Sequence, residues 1–355
     1  MTISTRTANP VVATKSPFAA EETDRRKSRL MNILSQGLPT LPNYVLDLNV
    51  LLGKPAVDLK KVGNVIRTDP SLSAQVLRLC NSALFGLRHR VISIEQAAIL
   101  LGTERLRTLV LTCSVMQFAG KRLPKAQLTT FWHHSFLCAL LSERLAGHLH
   151  YCEKEQAYLG GLLHDIGQLP MWILVIGEDA ARRPNPSPAW TDNIALEREY
   201  FGMDHCKVGR WMGVSWNYMP SFIDVFEYHH APQRAQHDPY LVGIISAADQ
   251  FLTAQASAAA AHQADTAAAG EKSATAETVT RFGIHPVSGA EHSSETENTD
   301  QLPIPHQAVP AFLPQCLPEL AESEHRAVME LLETEYLHLV PLVQLGMAVA
   351  ASDDV

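Results

Sequence analysis

Apolar residues along this chain recur three and four positions apart almost wherever they recur at all, which lays them on one face of an α-helix. The spacing predicts a first helix over 24–36, closed by Gly37. Leu38-Pro39-Thr40-Leu41-Pro42 follows, and its two prolines keep it out of any helix interior. Tyr44, Leu46, Leu48, Val50 and Leu51 form the next helical run, and Leu59, Val62, Val65 and Ile66 stripe a helix that Asp58 begins. In Thr68-Asp69-Pro70-Ser71, Asp69 is placed to cap a helix and Pro70 to occupy its first turn, where no backbone donor is needed. That helix carries Leu72, Val76, Leu77 and Leu79 as far as Asn81-Ser82. Ser93 is a cap for 95–101, Gly102 ends that helix, and 104–118 makes another. No period-two run is sustained, so the expected fold class is all-α, a two-lobed bundle of many helices.

A second helical unit starts near Ala126, where His134 shares a stripe with Leu137, Cys138, Leu141 and Leu145. Over 155–166, Leu159, Leu162, Leu163 and Ile166 mark a buried face that ends in the adjacent pair His164-Asp165, with Pro170 expected to stop the helix. Three prolines make 177–189 a surface loop; 193–201 and 204–212 read as helices, the second carrying His205. Ser221 is expected to cap a run that ends in His229-His230, and 240–252 carries Asp249 at the edge of an apolar face. The expected organisation is a disordered tail over 1–24, an N-terminal helical lobe over 25–122 and a second lobe over 123–253. A flexible Ala-, Ser- and Pro-rich insertion over 254–310 follows, part of which favours helix, and then a terminal helix over 311–350 packing on the body.

Composition changes this picture little. With 355 residues, 46% of them hydrophobic, the chain can bury a sizeable core, and a net charge of −8 argues against general affinity for nucleic acid or anionic membrane. Cys80, Cys113, Cys138, Cys152, Cys206 and Cys316 form no C-x-x-C pair and read as thiols of a reducing compartment. No stretch reads as a membrane span or a signal-peptide core, which makes the expected location cytoplasmic.

The chemistry sits in polar residues at core-facing positions. His134, His164, Asp165, His205, His229, His230 and Asp249 come from five predicted helices, each at or beside an apolar stripe. A buried carboxylate without a partner costs several kcal/mol, so such a set calls for compensation. One reading is a centre of nitrogen and oxygen ligands for divalent iron, manganese, magnesium or a similar ion, and two such ions could support phosphoester cleavage. The other is a hydrogen-bonded polar core that has lost its metal. His133, His148, His150 and His237 read as ordinary surface histidines.

The chain resembles the HDOD (HD-related output domain) family of bacterial signalling proteins, within the HD phosphohydrolase superfamily. The resemblance rests on Leu38-Pro39 with Leu41-Pro42, Asp69-Pro70 with Leu77 and Asn81-Ser82, and Ile94, Ala97-Ala98 and Leu101-Gly102. It continues through Trp132-His133-His134-Ser135, Gly161 to Gly167, His205 with Gly209, Trp216 with Pro220, and His229-His230-Ala231-Pro232, covering roughly 30–252. It implies an all-helical fold and a signal-output role, usually regarded as non-catalytic, exercised through a signalling partner protein. By comparison with catalytic HD relatives, it also implies that the seven residues above occupy ligand-like positions, with Asp165 bridging or orienting if the centre is active. Similar cyclic-di-GMP phosphodiesterases carry a Lys where this chain has Gln168, and a Gly-Tyr-Pro motif where it has Ala231-Pro232-Gln233. A neutral amide supplies no cation to a phosphodiester transition state. The primary expectation is therefore a regulatory protein acting through protein contacts, with a metal-dependent phosphohydrolase as the alternative and nucleotide sensing without turnover as a weaker third.

Overall fold

The computed structural model describes residues 20–35, 51, 57–81, 90–176, 194–216, 218–268 and 310–351, and the fold is all-α, with no strand among them. The predicted run over 44–51, save Leu51, which is helical, the whole loop over 177–189 and residues 269–309 of the expected insertion lie outside the described residues. In chain order the helices are α1 (Ala20–Ser35), α2 (Leu59–Arg67), α3 (Pro70–Cys80), α4 (Ile94–Leu101), α5 (Thr103–Gly120), α6 (Lys125–His148) and α7 (Lys154–Leu163). They continue with α8 (Gln168–Ile176), α9 (Ile194–Phe201), α10 (His205–Ser215), α11 (Pro220–Tyr228), α12 (Pro239–Ala268), α13 (Leu313–Cys316) and α14 (Glu322–Ala351).

Short polar side chains set the helix starts. Asp58 accepts from the Lys60 and Lys61 amides, Asp69 from Leu72, Ser93 from Gln96 and Asp204 from Lys207, each at 2.9–3.1 Å. Asn81 closes α3 and holds the strand of chain that leads into α4. Its amide donates to the Leu77 and Val91 carbonyls at 2.7 and 2.8 Å, and its oxygen accepts from the Val91 amide at 2.7 Å.

Helices α2 to α5 pack on one another as a first group, while α6, α7 and α10 to α12 form a second with α6 at its centre. Helix α5 touches both α6 and α7, and α14 lies along α6 and reaches α3, so the two groups share one core. Helix α1 departs from the expected lobe of 25–122, because it packs on α8 and α9 of the second group. The Arg26 guanidinium lies 3.8 Å from the centroid of the Tyr200 ring, and Thr23 donates to the Glu199 carbonyl at 2.9 Å.

Five other boundaries are corrected. Ala20 to Asp24, expected in the tail, are helical, with Glu21 and Glu22 in the first turn where the helix dipole favours carboxylates. Pro170 does not end a helix: the chain turns over 164–167 and starts α8 at Gln168, so Pro170 falls in a first turn where its missing donor costs nothing. Helix α12 runs on to Ala268 through the alanine-rich start of the expected insertion. The terminal helix is two, α13 and α14, broken around Pro318. Helix α11 begins at Pro220, with Met219 at the cap position expected of Ser221.

The candidate metal centre

Two close backbone approaches bring the ligand-bearing helices together. A methyl group on Gly161 of α7 would stand 2.8 Å from the Ala139 Cα and the Cys138 carbonyl oxygen of α6. Gly167, in the turn after His164-Asp165, lies so close to the His205 carbonyl at the start of α10 that a side chain there has no room. Through these contacts His134 on α6, His164-Asp165 at the end of α7 and His205 on α10 face one another.

All seven sequence-predicted residues converge. His134 Nε2 lies 3.3 Å from His164 Nε2, 3.8 Å from Asp165 Oδ2 and 3.2 Å from Asp249 Oδ1. His164 Nε2 is 3.4 Å from Asp165 Oδ2 and 3.6 Å from Asp249 Oδ1. The other oxygen of the same aspartate turns to a second set: Asp165 Oδ1 is 3.3 Å from His205 Nε2 and 3.4 Å from His229 Nε2. His205 Nε2 is 3.2 Å from both His229 Nε2 and His230 Nε2. His230 Nδ1 lies 3.7 Å from Asp249 Oδ2, which closes the ring of groups.

The outward nitrogens are committed. His164 Nδ1 donates to the Gly161 carbonyl at 2.8 Å, His229 Nδ1 to the Val225 carbonyl at 2.9 Å, and His205 Nδ1 to the Glu197 carboxylate at 2.8 Å. None of these acceptors carries a hydrogen of its own, so in the neutral rings the Nδ1 proton is fixed and each Nε2 presents a bare lone pair to the others. Asp165 Oδ1 and both Asp249 oxygens are buried with no partner in hydrogen-bonding geometry. Facing lone pairs and orphaned carboxylate oxygens repel unless a cation sits among them. The spacing suits one: donors about 2.1 Å from an ion stand about 3.0–3.4 Å apart at octahedral to tetrahedral angles. Donor chemistry and geometry both fit divalent metal ions, in two sets that share Asp165.

Without an ion the groups compensate through charge. Burial opposes ionisation of Asp165 and Asp249, yet the surrounding imidazoles outweigh it and hold both carboxyls well below their usual range. Burial alone would lower His164 and His205, but Asp165 beside the first and Cys206 and Glu197 beside the second raise both. His229 and His230 go the other way, driven down chiefly by burial, His230 to about 3. Among these seven described residues His230 is the most open, its side chain 20% exposed against 9% or less for the other six.

Three further residues escaped the sequence reading. Glu197 on α9 is buried and fixes His205 through its amide at 2.9 Å and its ring; its spacing before Tyr200 and Phe201 was the available signal. Cys206 Sγ lies 3.5 Å from His205 Nε2, although no cysteine was expected near the set. His133, expected at the surface, is buried, and burial takes its imidazole down to about 4. His148 and His150 are exposed, and the His237 side chain is 52% exposed.

Among the described residues one helical stretch, Lys154–Ile176, is long and apolar enough to cross a membrane by composition, but its apolar window is 78% buried inside the body, where the stretch forms α7 and α8. All six cysteines are free, and five are buried.

The HDOD domain family matches residues 38–232. A protein of Treponema pallidum (strain Nichols) is 25% identical over an alignment of 206 residues that covers 54% of this chain and only 37% of that relative. An HDOD domain protein of unknown function from Geobacter sulfurreducens superposes with a TM-score of 0.58 at 20% identity, over 91% of this chain and 98% of that one. A candidate phosphohydrolase from Shewanella amazonensis SB2B gives 0.57 at 23% identity over the same shares. At these identities the solved structures establish the shared helical fold, while the family match spans more than half the chain. By sequence pattern and by fold, this chain belongs to the HDOD family.

Proposed function

We propose that the chain is a metal-dependent phosphohydrolase that acts on a phosphoester small enough to enter beside His230. One observation carries the reading: His164, His205 and His229 have their Nδ1 protons drawn outward, and their Nε2 lone pairs meet around the two oxygens of Asp165. His134, His164, Asp165 and Asp249 would hold one divalent ion, and Asp165, His205, His229 and His230 the other. Such a pair supplies Lewis acidity towards phosphate oxygens and acidifies water at neutral pH. The chain itself does the positioning. Glu197 keeps the His205 tautomer and ring angle, the Gly161 and Val225 carbonyls do the same for His164 and His229, and Asp165 fixes the separation of the two sets. Gln168 is buried and neutral, which leaves a cyclic dinucleotide diester without a cation and favours a smaller substrate.

The occlusion of six of the seven ligand groups favours a second reading, in which the ions only rigidify the body and output passes through a signalling partner protein. Metal analysis of the purified protein, followed by a panel of nucleotides and simple phosphoesters with manganese or ferrous iron, separates the two. Turnover that disappears in the His164→Ala/Asp165→Ala variant supports the hydrolase. Metal retained without turnover of any substrate supports the scaffold, and a protein that takes up no metal sinks the hydrolase.

A further inference from the structure

The two ligand sets are not chemically alike. The first offers two imidazole nitrogens and two carboxylate oxygens. The second offers three imidazole nitrogens and one carboxylate oxygen, and Cys206 stands beside it in the first turn of α10, immediately after His205. The thiol is 5% exposed, its sulfur is 3.5 Å from His205 Nε2, and the ligand atoms of His205, Cys206, His229 and His230 all lie within 4.8 Å of one another. Sulfur at about 2.3 Å and nitrogen at about 2.1 Å from one ion would stand about 3.1–3.6 Å apart. The orphaned Asp165 Oδ1 points into the same space, an independent sign that this corner is built for a cation.

We propose that Cys206 is a thiolate ligand of the ion held by His205, His229 and His230, and that it makes this position select zinc, ferrous iron or cobalt over manganese or magnesium. The inference rests on the metal-centre reading above and deepens it. The thiol releases its proton to solvent as the ion enters, and no electrons are transferred. The N-terminal end of α10 favours the resulting negative charge. A soft donor in one set and only nitrogen and oxygen in the other make the pair unequal, so the second position binds the borderline metal and the first remains open to harder ions. With five protein donors the second position also keeps fewer places for water than the first, which assigns it an anchoring role.

X-ray absorption on the wild-type chain loaded with zinc tests this directly. One sulfur neighbour at about 2.3 Å is expected, against a nitrogen/oxygen shell alone if the idea is wrong. Cobalt loading provides the second readout: a near-ultraviolet sulfur-to-cobalt band should be present in the wild type and in Cys138→Ser, whose cysteine also neighbours His164, and absent in Cys206→Ser. Cys206→Ser should also lose at least about tenfold in zinc affinity while manganese uptake is unchanged. A cobalt band that survives Cys206→Ser, or a sulfur-free zinc shell, overturns the assignment while leaving the metal centre standing. Failure of the wild type to bind any ion would remove both together.

Discussion

Glu197 fixes a member of the candidate centre without belonging to the converging set. It carries His205 by both the backbone amide and the ring, and it takes the ring proton to the outward side. Glu197→Gln can present its amide nitrogen there instead of an acceptor, so we expect metal affinity to fall about 10–100-fold with the helical circular-dichroism signal unchanged. A titration with cobalt or zinc in a competing chelator checks it, and an unchanged affinity would reduce Glu197 to a packing role. The contrast with His133 is instructive. Both His133 and His134 are buried, but periodicity assigned only His134 to the core, because α6 is apolar on nearly all sides where it crosses the body. A central helix has no solvent face for pattern reading to detect. The seven centre residues were legible because His and Asp stand out against apolar stripes; Glu197 was not, because in Leu196-Glu197-Arg198-Glu199 it looks like the charged residues beside it, which are less buried.

Among the elements, the α6–α7 pair is held at a distance only glycine permits. Gly161→Ala puts a methyl against α6 backbone that cannot move aside, and we expect a loss of about 1–3 kcal/mol in urea unfolding, accompanied by weakened metal binding. Stability lost without any change in metal binding would show that the two helices part without moving His134 from His164. Helix α3 makes a quieter prediction: Asp69→Ala removes the cap on the Leu72 amide and should cost about 1 kcal/mol while leaving metal uptake intact. Between α2 and α4, Arg67 and Glu95 meet at 2.6 Å. The Glu95 carboxyl is lowered by its backbone hydrogen bond and by Arg67, with burial opposing. A carboxyl lowered on folding contributes stability above its unfolded value, and that contribution is lost as pH falls through the folded one. Unfolding midpoints of wild type and Arg67→Ala should therefore converge below about pH 4, the difference at neutral pH being small for so exposed a pair. Starts and caps of these helices could be read from Asp58, Asp69 and Ser93; α8 could not, since Pro170 carries the same sequence signal whether it ends one helix or opens the next.

For the whole molecule, the seven converging groups come from α6, α10 and α12 and from the chain ends of α7 and α11, so ion binding would cross-link segments distant in sequence. Anything that binds only the folded state raises its stability by mass action. Chelated protein should therefore melt lower than protein with excess manganese or zinc, by about 3 kcal/mol at a hundredfold excess over Kd, and His164→Ala/Asp165→Ala should abolish the difference. Calorimetry with and without chelator reads this out. The placement of α1 was beyond sequence reasoning, since an amphipathic helix records that it has a partner but not which one.

Asp165 gives one oxygen to each ligand set. Filling either position would therefore orient the carboxylate for the other, while drawing on the same negative charge. The two uptake steps should therefore not be independent: removing the shared carboxylate with Asp165→Asn should weaken both, whereas Cys206→Ser should weaken only the second.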